Sequence, residues 1–528
     1  MAAWLFAMVA VLTAAAVVWK MWRLFRQVVW RPYVVTKRLR RGGVRCPPYS
    51  FVSGSMKEVK RLQEEAGRIV LPPHSNDITH RVLPHFHAWS RQYGEPFFYW
   101  AGTQPRVYIS DPELAKEILA KFELYVKPEP RHAVKMLVGE GVALANGIDW
   151  VRRRRILNPA FSVDKLKVMI NAITECTESI LHEWRNQAMA AKNQALTLEM
   201  NDEFQKLTAD IIARTAFGSS YVQGKEAFMG QKRLQKYCAD SLLSAFVPGS
   251  RYLPTPSNIQ LWKLDWKVKN SLRNIVKSRL ESCESTSCDD NSSYGDDLLG
   301  LLIASSEKSG NKGAGPKLDL DEIIEECKTF FFAGHETSSN LLTWTIFLLS
   351  IHQDWQSKVR EEVQKECAAG IHTADTLTRL KLVNMVLMEA LRLYCPIPEL
   401  IREASEDIEL GNFSIPKGTC VMIPITKIHT SREYWGEDAL DFNPLRFADG
   451  AAKAVKHHHH PSAFLPFALG PRTCIGQNFA MLESKTVLAL LLQNFSFTLS
   501  VDYKHTPVSY ISMQPQFGLP VLLHPLCK

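Results

Sequence analysis

The chain has 528 residues, 46% of them hydrophobic and 22% charged, a composition that excludes a disordered protein and is ample for a buried core. Its formal net charge of +9 arises within residues 1–45, which hold nine basic side chains and no acidic one. The rest of the chain is formally neutral, so no nucleic-acid partner is expected. The eleven cysteines are scattered without a CxxC pair, which argues against both a disulfide framework and a zinc ribbon.

An apolar segment opens the chain. Residues 2–19 are apolar apart from Thr13, and eighteen helical residues span about 27 Å, roughly the hydrocarbon thickness of a bilayer. Basic residues follow this segment and none precedes it, which favours a single-pass anchor with a cytosolic body over a cleaved signal peptide. We predict a transmembrane anchor over 1–19, a basic juxtamembrane segment over 20–46 and one large domain over 47–528.

The body shows helical periodicity over most of its length, above all at 155–281 and 319–395. Polar stretches rich in Ser, Gly and Asp at 282–297 and 305–317 predict surface loops. Strand-like stretches are short: PFFYWAG and PRVYIS near the start, residues 408–425, and FSFTLSV near the C terminus. We therefore predict a mainly α fold with small β-sheets, preceded by one transmembrane helix.

One long helix is predicted from a capping box at Asp319 and Glu322 to about residue 351. Its second half is so apolar that it must cross a core, yet its middle at 333–337 reads Ala-Gly-His-Glu-Thr. A glycine inside a helix costs roughly 1 kcal/mol relative to alanine, and a buried carboxylate costs more unless it is hydrogen-bonded. These residues therefore indicate a functional site.

The stretch FALGPRTCIGQ at 467–477 places one cysteine between two glycines and beside an arginine. Its pattern is Phe-x-x-Gly-x-Arg-x-Cys-x-Gly, complete at Phe467, Gly470, Arg472, Cys474 and Gly476. A cysteine near a helix N-terminus is expected to have a lowered pKa, and its thiolate is the form that binds metals. The alternative is an ordinary buried thiol, which the complete pattern disfavours.

Together these motifs resemble the cytochrome P-450 family of haem-thiolate monooxygenases, from the anchor to near the C terminus. The resemblance implies the P-450 fold over 47–528, haem b (iron-protoporphyrin IX) as cofactor and Cys474 as the iron ligand. Phe467, Gly470, Arg472 and Gly476 would form the haem-binding loop, with Arg472 facing a haem propionate.

Further residues follow from the resemblance. Trp150 and Arg154 match a Trp-x-x-x-Arg pattern, and they and Arg402 would bind haem propionates. The neighbouring Arg152, Arg153 and Arg155 are interpreted either as a solvated basic face or as a dock for an acidic redox partner.

The long helix would pass over the haem. Gly334 would leave room for dioxygen, and Glu336 and Thr337 would form the acid–alcohol pair that relays protons. The alternative for Thr337 is a hydrogen bond to a carbonyl of its own helix.

Two other features complete the site residues. Glu389, Arg392 and Arg446 match a buried ion network that braces the haem-binding loop, a structural and not a catalytic role. The run His457–His460 lies in a loop before the cysteine pattern and is interpreted as neither a tag nor a specific metal site.

The function implied is the insertion of one oxygen atom from dioxygen into a lipophilic small molecule. Electrons would come from NADPH through a membrane-bound flavoprotein reductase, because no GxGxxG follows a strand in this chain. The location implied is the endoplasmic reticulum membrane, with membrane lipid as a further partner and the catalytic domain cytosolic. The alternatives are a haem-thiolate isomerase or dehydratase acting on hydroperoxides, and a non-catalytic haem-binding protein anchored in the membrane.

The stretches SRYLPTPSNIQLWKLD and YGDDLLGLL are similar to a plant microsomal clan within this family. That clan oxidises brassinosteroids, gibberellins, cytokinins, fatty acids and terpenoids, and brassinosteroid inactivation or fatty-acid hydroxylation is the favoured activity. By family position, the substrate-contacting segments are 128–147, 238–250, 327–337, 396–402 and 509–519.

Overall fold

The computed structural model describes residues 2–191, 195–218, 221–242, 252–284, 294–295, 297–307, 317–368, 374–455 and 461–526. The run His457–His460 lies outside the described residues, as does most of the two predicted polar loops.

Helices dominate the described part of the chain. They are α1 Ala2–Phe25, α2 Arg31–Arg41, α3 Met56–Gly67, α4 Thr79–Val82, α5 Pro84–Tyr93, α6 Pro112–Ala120, α7 His132–Val138, α8 Gly147–Leu157, α9 Val163–Ala190, α10 Met200–Phe217, α11 Tyr221–Leu242, α12 Pro256–Glu284, α13 Leu298–Glu307, α14 Leu320–Ile351, α15 Gln353–Glu366, α16 Ala374–Arg379, α17 Lys381–Leu393, α18 Ile425–His429, α19 Arg432–Trp435, α20 Ala451–Ala454 and α21 Gln477–Asn494.

The strands are short and form small sheets. They are β1 Phe97–Ala101, β2 Gln104–Tyr108, β3 Tyr125–Val126, β4 Leu196–Glu199, β5 Leu400–Ala404, β6 Ile408–Leu410, β7 Phe413–Ile415, β8 Cys420–Ile423, β9 Phe495–Leu499, β10 Pro507–Ser509, β11 Met513–Pro515 and β12 Pro520–Pro525. The largest sheet has the order β1-β2-β8-β5-β3, and β4-β12-β9 form a second. Two hairpins, β6-β7 and β10-β11, complete the set. The prediction of a mainly α fold with small β-sheets is confirmed.

The N-terminal helix is longer than its apolar segment. α1 passes through one π-helical turn at Arg26–Trp30 directly into α2, which ends at Arg41. The helical stretch Trp4–Arg41 is long and apolar enough to cross a membrane, and its apolar window is not buried against the body. The predicted boundary at residue 19 is therefore not a helix end, because the basic residues that follow also favour helix.

The second part of this helix is attached to the body. Arg31 Nη2 donates to the carbonyl of Gly418 at 3.0 Å, and Arg38 Nη1 pairs with the Asp407 carboxylate at 2.5 Å. The indole Nε1 of Trp100 donates to Thr36 Oγ1 at 3.1 Å. The body is thus held against α2 at a defined place just beyond the anchor.

α14 is the central helix. Its N-cap is Asp319, whose side chain and that of Glu322 form the predicted capping box, and its 32 residues give a length of about 48 Å. Its second half is buried on all sides, with Trp344 stacked on Tyr394 of the segment after α17 at 4.5 Å between ring centroids. α10 packs along its first half, and α21 packs beside it. The core therefore forms around α14.

Candidate active site

The loop before α21 has a conformation that its glycines permit. The amide of Cys474 donates to the carbonyl of Phe467 at 2.9 Å, which closes the loop three residues before α21 begins at Gln477. Gly470 has φ of 74°, and a Cβ there would lie 2.5 Å from the carbonyl oxygen of Leu119. Only glycine meets both demands. The loop is therefore held against the end of α6 with its cysteine at the N-terminal side of a helix.

Cys474 is enclosed by protein, but its side chain opens onto an internal cavity and is exposed there. Burial raises the pKa of its thiol, while the amide of Gly476 and the guanidinium of Arg154 oppose this rise without overcoming it. The predicted lowered pKa is therefore wrong for the polypeptide alone, because desolvation outweighs the helix end. A coordinating metal deprotonates a thiol outright, so a metal-bound thiolate stays compatible with this environment.

The cavity lies between α14 and the cysteine loop and has a volume of about 260 Å³. Cys474 and Gly476 lie on one side of it, and Ala333, Gly334 and Thr337 lie on the other. Most of the remaining lining is apolar, and it includes Phe161, Ile212, Phe330, Leu341, Ile397 and Phe479. A flat apolar ligand could therefore fit with the sulfur on one face and α14 on the other.

Three cationic side chains line one part of this cavity: Lys127, Arg402 and Arg472. Arg402 is almost fully buried, and its Nε has no hydrogen-bond acceptor within the described structure. Arg472 stacks over Trp150 at 4.6 Å and donates from Nη2 to the carbonyl of Ala145 at 2.7 Å, but its Nε also lacks an acceptor there.

The pKa values reflect this crowding of positive charge. Burial lowers the pKa of Arg402 to about 10, with a further contribution from Arg472, and burial lowers that of Arg472 to about 10. Burial and then the two arginines depress the pKa of Lys127 well below its usual range. No carboxylate in the described part of the chain forms an ion pair with any of the three. Buried charge without a counterion is costly, so this corner of the cavity is suited to an anionic group.

The residues present fit haem. Its two carboxylates match the unpaired cations and the two Nε–H donors that lack acceptors, and Cys474 faces the same space. A Cβ on Gly476 would have Phe161 as its nearest neighbour, at 3.9 Å, so this glycine leaves open space where it lines the cavity. Lys127 was missed from the sequence, because a single lysine in a loop gives no signal before the fold brings it beside two arginines.

The Trp-x-x-x-Arg pattern implied that Trp150 and Arg154 both face the haem carboxylates. The structure places only Trp150 beside one of the three cations. Trp150 supports Arg472, but Arg154 Nη1 donates to the carbonyl of Thr473 at 3.0 Å and does not line the cavity with the three cations. Arg154 therefore stabilises the cysteine loop through its backbone. The propionate role expected for Arg154 stays a prediction, and the contact seen here is with the cysteine loop.

Of the three neighbouring arginines, Arg155 is exposed, but Arg152 and Arg153 are not part of a solvated face. Arg153 is buried and donates from Nη1 to Glu326 Oε1 of α14 at 2.9 Å, and Arg152 and Arg153 both pair with Glu322 and Asp149. The interpretation of these two as free surface charges is wrong, because acidic residues of α8 and α14 neutralise them. They tie α8 to the start of α14.

On α14, Gly334 and Thr337 reach the cavity. A Cβ at position 334 would lie 2.7 Å from Ile212 Cδ1, so any larger residue there would require the Ile212 side chain of α10 to shift. The Thr337 hydroxyl donates to the carbonyl of Ala333 at 2.7 Å, which is the alternative considered for this residue. The residue nevertheless lines the cavity.

Glu336 is held apart from the cavity. It is buried, and its Oε1 accepts hydrogen bonds from Gln235 Nε2 at 2.7 Å, Ser512 Oγ at 2.5 Å and Asn340 Nδ2 at 3.2 Å. Of the described residues that line the cavity, Thr337 is one and Glu336 is not. The acid–alcohol pair is thus not assembled as expected, because successive helix residues point in different directions. Gln235, Asn340 and Ser512 had no signal in the sequence.

The expected ion network is present around Glu389. Arg392 donates from Nε to its Oε2 at 2.7 Å and from Nη2 to its Oε1 at 2.8 Å, and Arg446 Nε donates to Oε1 at 3.2 Å. The remaining donors of Arg392 reach the carbonyls of His429 and Ala439 at 2.8 and 2.6 Å. The carboxylate and the first guanidinium are fully buried. Arg446 Nη2 also pairs with Asp438 Oδ2 at 3.2 Å, so the two guanidinium groups are matched by two carboxylates of the protein itself.

Known proteins are similar to this chain in sequence and in fold. The family model described as Cytochrome P450 matches residues 74–520. Cytochrome P450 709B1 of Arabidopsis thaliana is 50% identical, with 96% of this chain and 96% of that protein covered. Secologanin synthase 2 of Catharanthus roseus is 38% identical, with 98% and 96% covered. The solved structure of retinoic acid bound cyanobacterial CYP120A1 superposes with a TM-score of 0.71 at 25% identity, covering 86% of this chain and 98% of that one.

Proposed function

Because the chain belongs to the cytochrome P450 family and is therefore a haem-thiolate monooxygenase, we propose that it hydroxylates a lipophilic small molecule of the plant hormone, fatty-acid or terpenoid type. The observation that carries this proposal is the cavity itself, in which a thiol and the Thr337 hydroxyl lie on opposite sides of a largely apolar space. Relatives named for secologanin synthesis and a structural neighbour bound to retinoic acid support a small, mainly apolar substrate.

In this proposal Cys474 ligates the haem iron, and Lys127, Arg402 and Arg472 hold the haem carboxylates. When bound, haem activates dioxygen, and its thiolate ligand favours cleavage of the O–O bond. The three cations lose their desolvation penalty when they meet the carboxylates. These residues would hold the haem in the cavity between α14 and the cysteine loop.

The other wall of the cavity positions substrate and protons. Phe330 and Leu341 exclude water from the reacting carbon, which limits loss of electrons to solvent reactions. The Thr337 hydroxyl can give up its bond to the Ala333 carbonyl and donate into the cavity. Once its bond to Ser512 opens, Glu336 takes up protons from solvent and relays them through water to this hydroxyl.

Electrons come from NADPH through a membrane-bound flavoprotein reductase. The exposed apolar helix from Trp4 holds the body at a membrane, and the endoplasmic reticulum is the membrane we propose. A substrate that partitions into the same bilayer then meets the enzyme at high local concentration.

The first experiment uses the purified full chain with a plant reductase. The reduced carbonyl complex should show the thiolate-type absorption, and NADPH consumption should rise with a substrate from a panel of hormones, fatty acids and terpenoids. Cys474→Ala should abolish that absorption, whereas Cys176→Ala, which removes a buried thiol of α9, should retain it. A hydroperoxide converted without reductase, or haem binding without NADPH consumption for any substrate, would contradict the proposal.

The second experiment tests the hydroxyl. Thr337→Ala should leave the carbonyl absorption intact and lower product formed per NADPH severalfold, because protons then arrive less selectively. Thr343→Ala is the matched control, since that hydroxyl makes the same helix-carbonyl bond at 2.7 Å and does not line the cavity. Equal product per NADPH in both variants would refute the proton role of Thr337.

A further inference from the structure

A second cavity lies far from the cysteine, where α2 meets the body. It is a groove of about 880 Å³ between the helix after the anchor and the loop at 46–51. Its helix wall includes Val28, Pro32, Tyr33, Thr36, Lys37, Arg40 and Arg41, and its loop wall includes Cys46, Tyr49 and Phe51. We call this space the juxtamembrane groove. It takes no part in the function proposed above.

The basic residues of this region fall into two groups. Arg31 and Arg38 are used to attach α2 to the body, through the Gly418 carbonyl and the Asp407 carboxylate. Lys37, Arg40 and Arg41 instead line the groove. Nothing acidic is found among the described residues that line it, and no carboxylate in the part of the chain that the structure describes pairs with these three.

Local contacts direct this positive charge into the groove. The Lys37 ammonium lies 5.7 Å from the centre of the Tyr33 ring, and Arg40 Nη2 donates to the Sγ of Cys46 at 3.4 Å. Tyr49, on the loop wall, donates its hydroxyl to the carbonyl of Val28 at 3.0 Å. Defined hydrogen bonds therefore join the two walls and fix the shape of the groove.

The rim of the groove is apolar and exposed. On the helix side Val29, Trp30 and Tyr33 are exposed, and on the loop side Phe51 and Val52 are exposed, with Phe51 at 71%. Large apolar side chains grouped at the surface indicate contact with an apolar medium, and aromatic residues flanking a membrane span favour the interface. The helix side of the rim continues the helix of the anchor, so a membrane crossed by the anchor would bring the rim to the bilayer surface.

We propose that the juxtamembrane groove binds the headgroup of an anionic phospholipid. The phosphate meets Lys37, Arg40 and Arg41, and the acyl chains pass between the two sides of the apolar rim into the bilayer. A zwitterionic lipid has the same chains, but its own cation offsets its phosphate, so it binds less well. Each basic side chain near an anionic membrane surface contributes about fivefold to partitioning.

The test is lipid retention by the full chain. The protein is reconstituted in nanodiscs of phosphatidylcholine containing 10% phosphatidic acid, and lipid that remains bound after detergent extraction is counted by mass spectrometry. The triple variant Lys37→Gln/Arg40→Gln/Arg41→Gln should retain at least tenfold less phosphatidic acid than the unaltered chain. Its far-ultraviolet circular dichroism should be unchanged, because the contacts of Arg31, Arg38 and Thr36 that attach α2 to the body remain.

A matched variant separates a site from general attraction. Lys20→Gln/Arg23→Gln/Arg26→Gln removes the same charge from the same helix but outside the groove, so it weakens only general attraction and should lose severalfold less phosphatidic acid than the groove variant. Equal loss in both variants would overturn the proposal in favour of diffuse electrostatic attraction. Retention of phosphatidylcholine and phosphatidic acid in the proportion of the bilayer would overturn it as well.

A photolabelling experiment locates the bound lipid independently of how tightly it binds. Phosphatidic acid with a photoactivatable group near its glycerol should label the peptide that contains Tyr49 and Phe51, and the labelled phosphatidylcholine analogue should label it much less. Labelling of the anchor alone by both lipids would show that the groove holds no lipid headgroup. In a further arm, soluble reductase is added before photolysis. If the reductase removes the label from the groove peptide while the anchor is still labelled, the groove binds an acidic protein surface instead, and the proposal is refuted.

Discussion

Two buried groups of charged residues lie in the same core and differ in one respect. Around Glu389, the guanidinium groups of Arg392 and Arg446 are neutralised by the carboxylates of Glu389 and Asp438, and the spare donors of Arg392 reach backbone carbonyls. In the cavity, Arg402 and Arg472 have Nε donors without acceptors, and no carboxylate in the described residues pairs with them or with Lys127. A protein tolerates the first arrangement for its own stability. It tolerates the unpaired cations of the cavity because an anionic ligand neutralises them.

The largest expected effect is on the paired group. Arg392→Met removes the main partner of a fully buried carboxylate and should lower the free energy of unfolding by about 3–5 kcal/mol. Denaturant unfolding followed by circular dichroism measures this directly. The comparison would fail if the variant were as stable as the unaltered protein.

The same substitution in the cavity should act in the opposite direction. Arg402→Met removes a buried cation without a counterion, so the haem-free polypeptide should gain roughly 1–3 kcal/mol of unfolding free energy. Haem retention on transfer to apomyoglobin should fall at the same time. A variant that loses stability in the haem-free form would show that Arg402 is structural, like Arg392.

The two glycines of the cysteine loop sharpen the contrast. Gly470→Ala places a side chain at φ of 74° and against the Leu119 carbonyl, so it should cost at least about 1–2 kcal/mol of unfolding free energy in the haem-free protein. Gly476→Ala should leave that quantity nearly unchanged, because its Cβ has room, and should instead weaken haem retention. Thermal unfolding and haem transfer separate the two. Equal loss of stability would contradict this division.

The smallest expected effect is on the pH dependence of stability, and it comes from a histidine beside the Glu389 network. His429 accepts a hydrogen bond from the Leu465 amide at its Nε2 at 3.0 Å, and burial, with Arg392 nearby, lowers its pKa from 6.5 to about 3. Between these values the unfolded chain binds a proton that the folded chain does not, so stability falls as pH falls below 6.5.

This histidine should therefore contribute about 1 kcal/mol to the loss of unfolding free energy between pH 7 and 5.5. His429→Gln should reduce that loss, whereas His524→Gln, at an exposed position of β12, should not. Parallel pH profiles for all three proteins would show that His429 is protonated in the folded state.

Much of the fold could be predicted because periodicity and helix-end signals are local. The capping box at Asp319 and the helical run to residue 351 were both predicted and found, as were β1, β2 and β9. β5 was missed because Arg402 and Glu403 break the alternation expected of a half-buried strand. Its residues form a strand only because β8 and β3 lie on either side.

The sequence alone determined the cysteine loop, the Glu389–Arg392 pair and the apolar anchor, because each depends on residue identity at short spacing. Only the tertiary structure decided which charges are neutralised. Arg153 meets Glu326, Glu336 meets Ser512, and Lys127 joins two arginines through contacts that cross 173, 176 and at least 275 positions of the chain. The energy of a buried charge depends on its neighbours in space, and spacing along the chain carries no record of them.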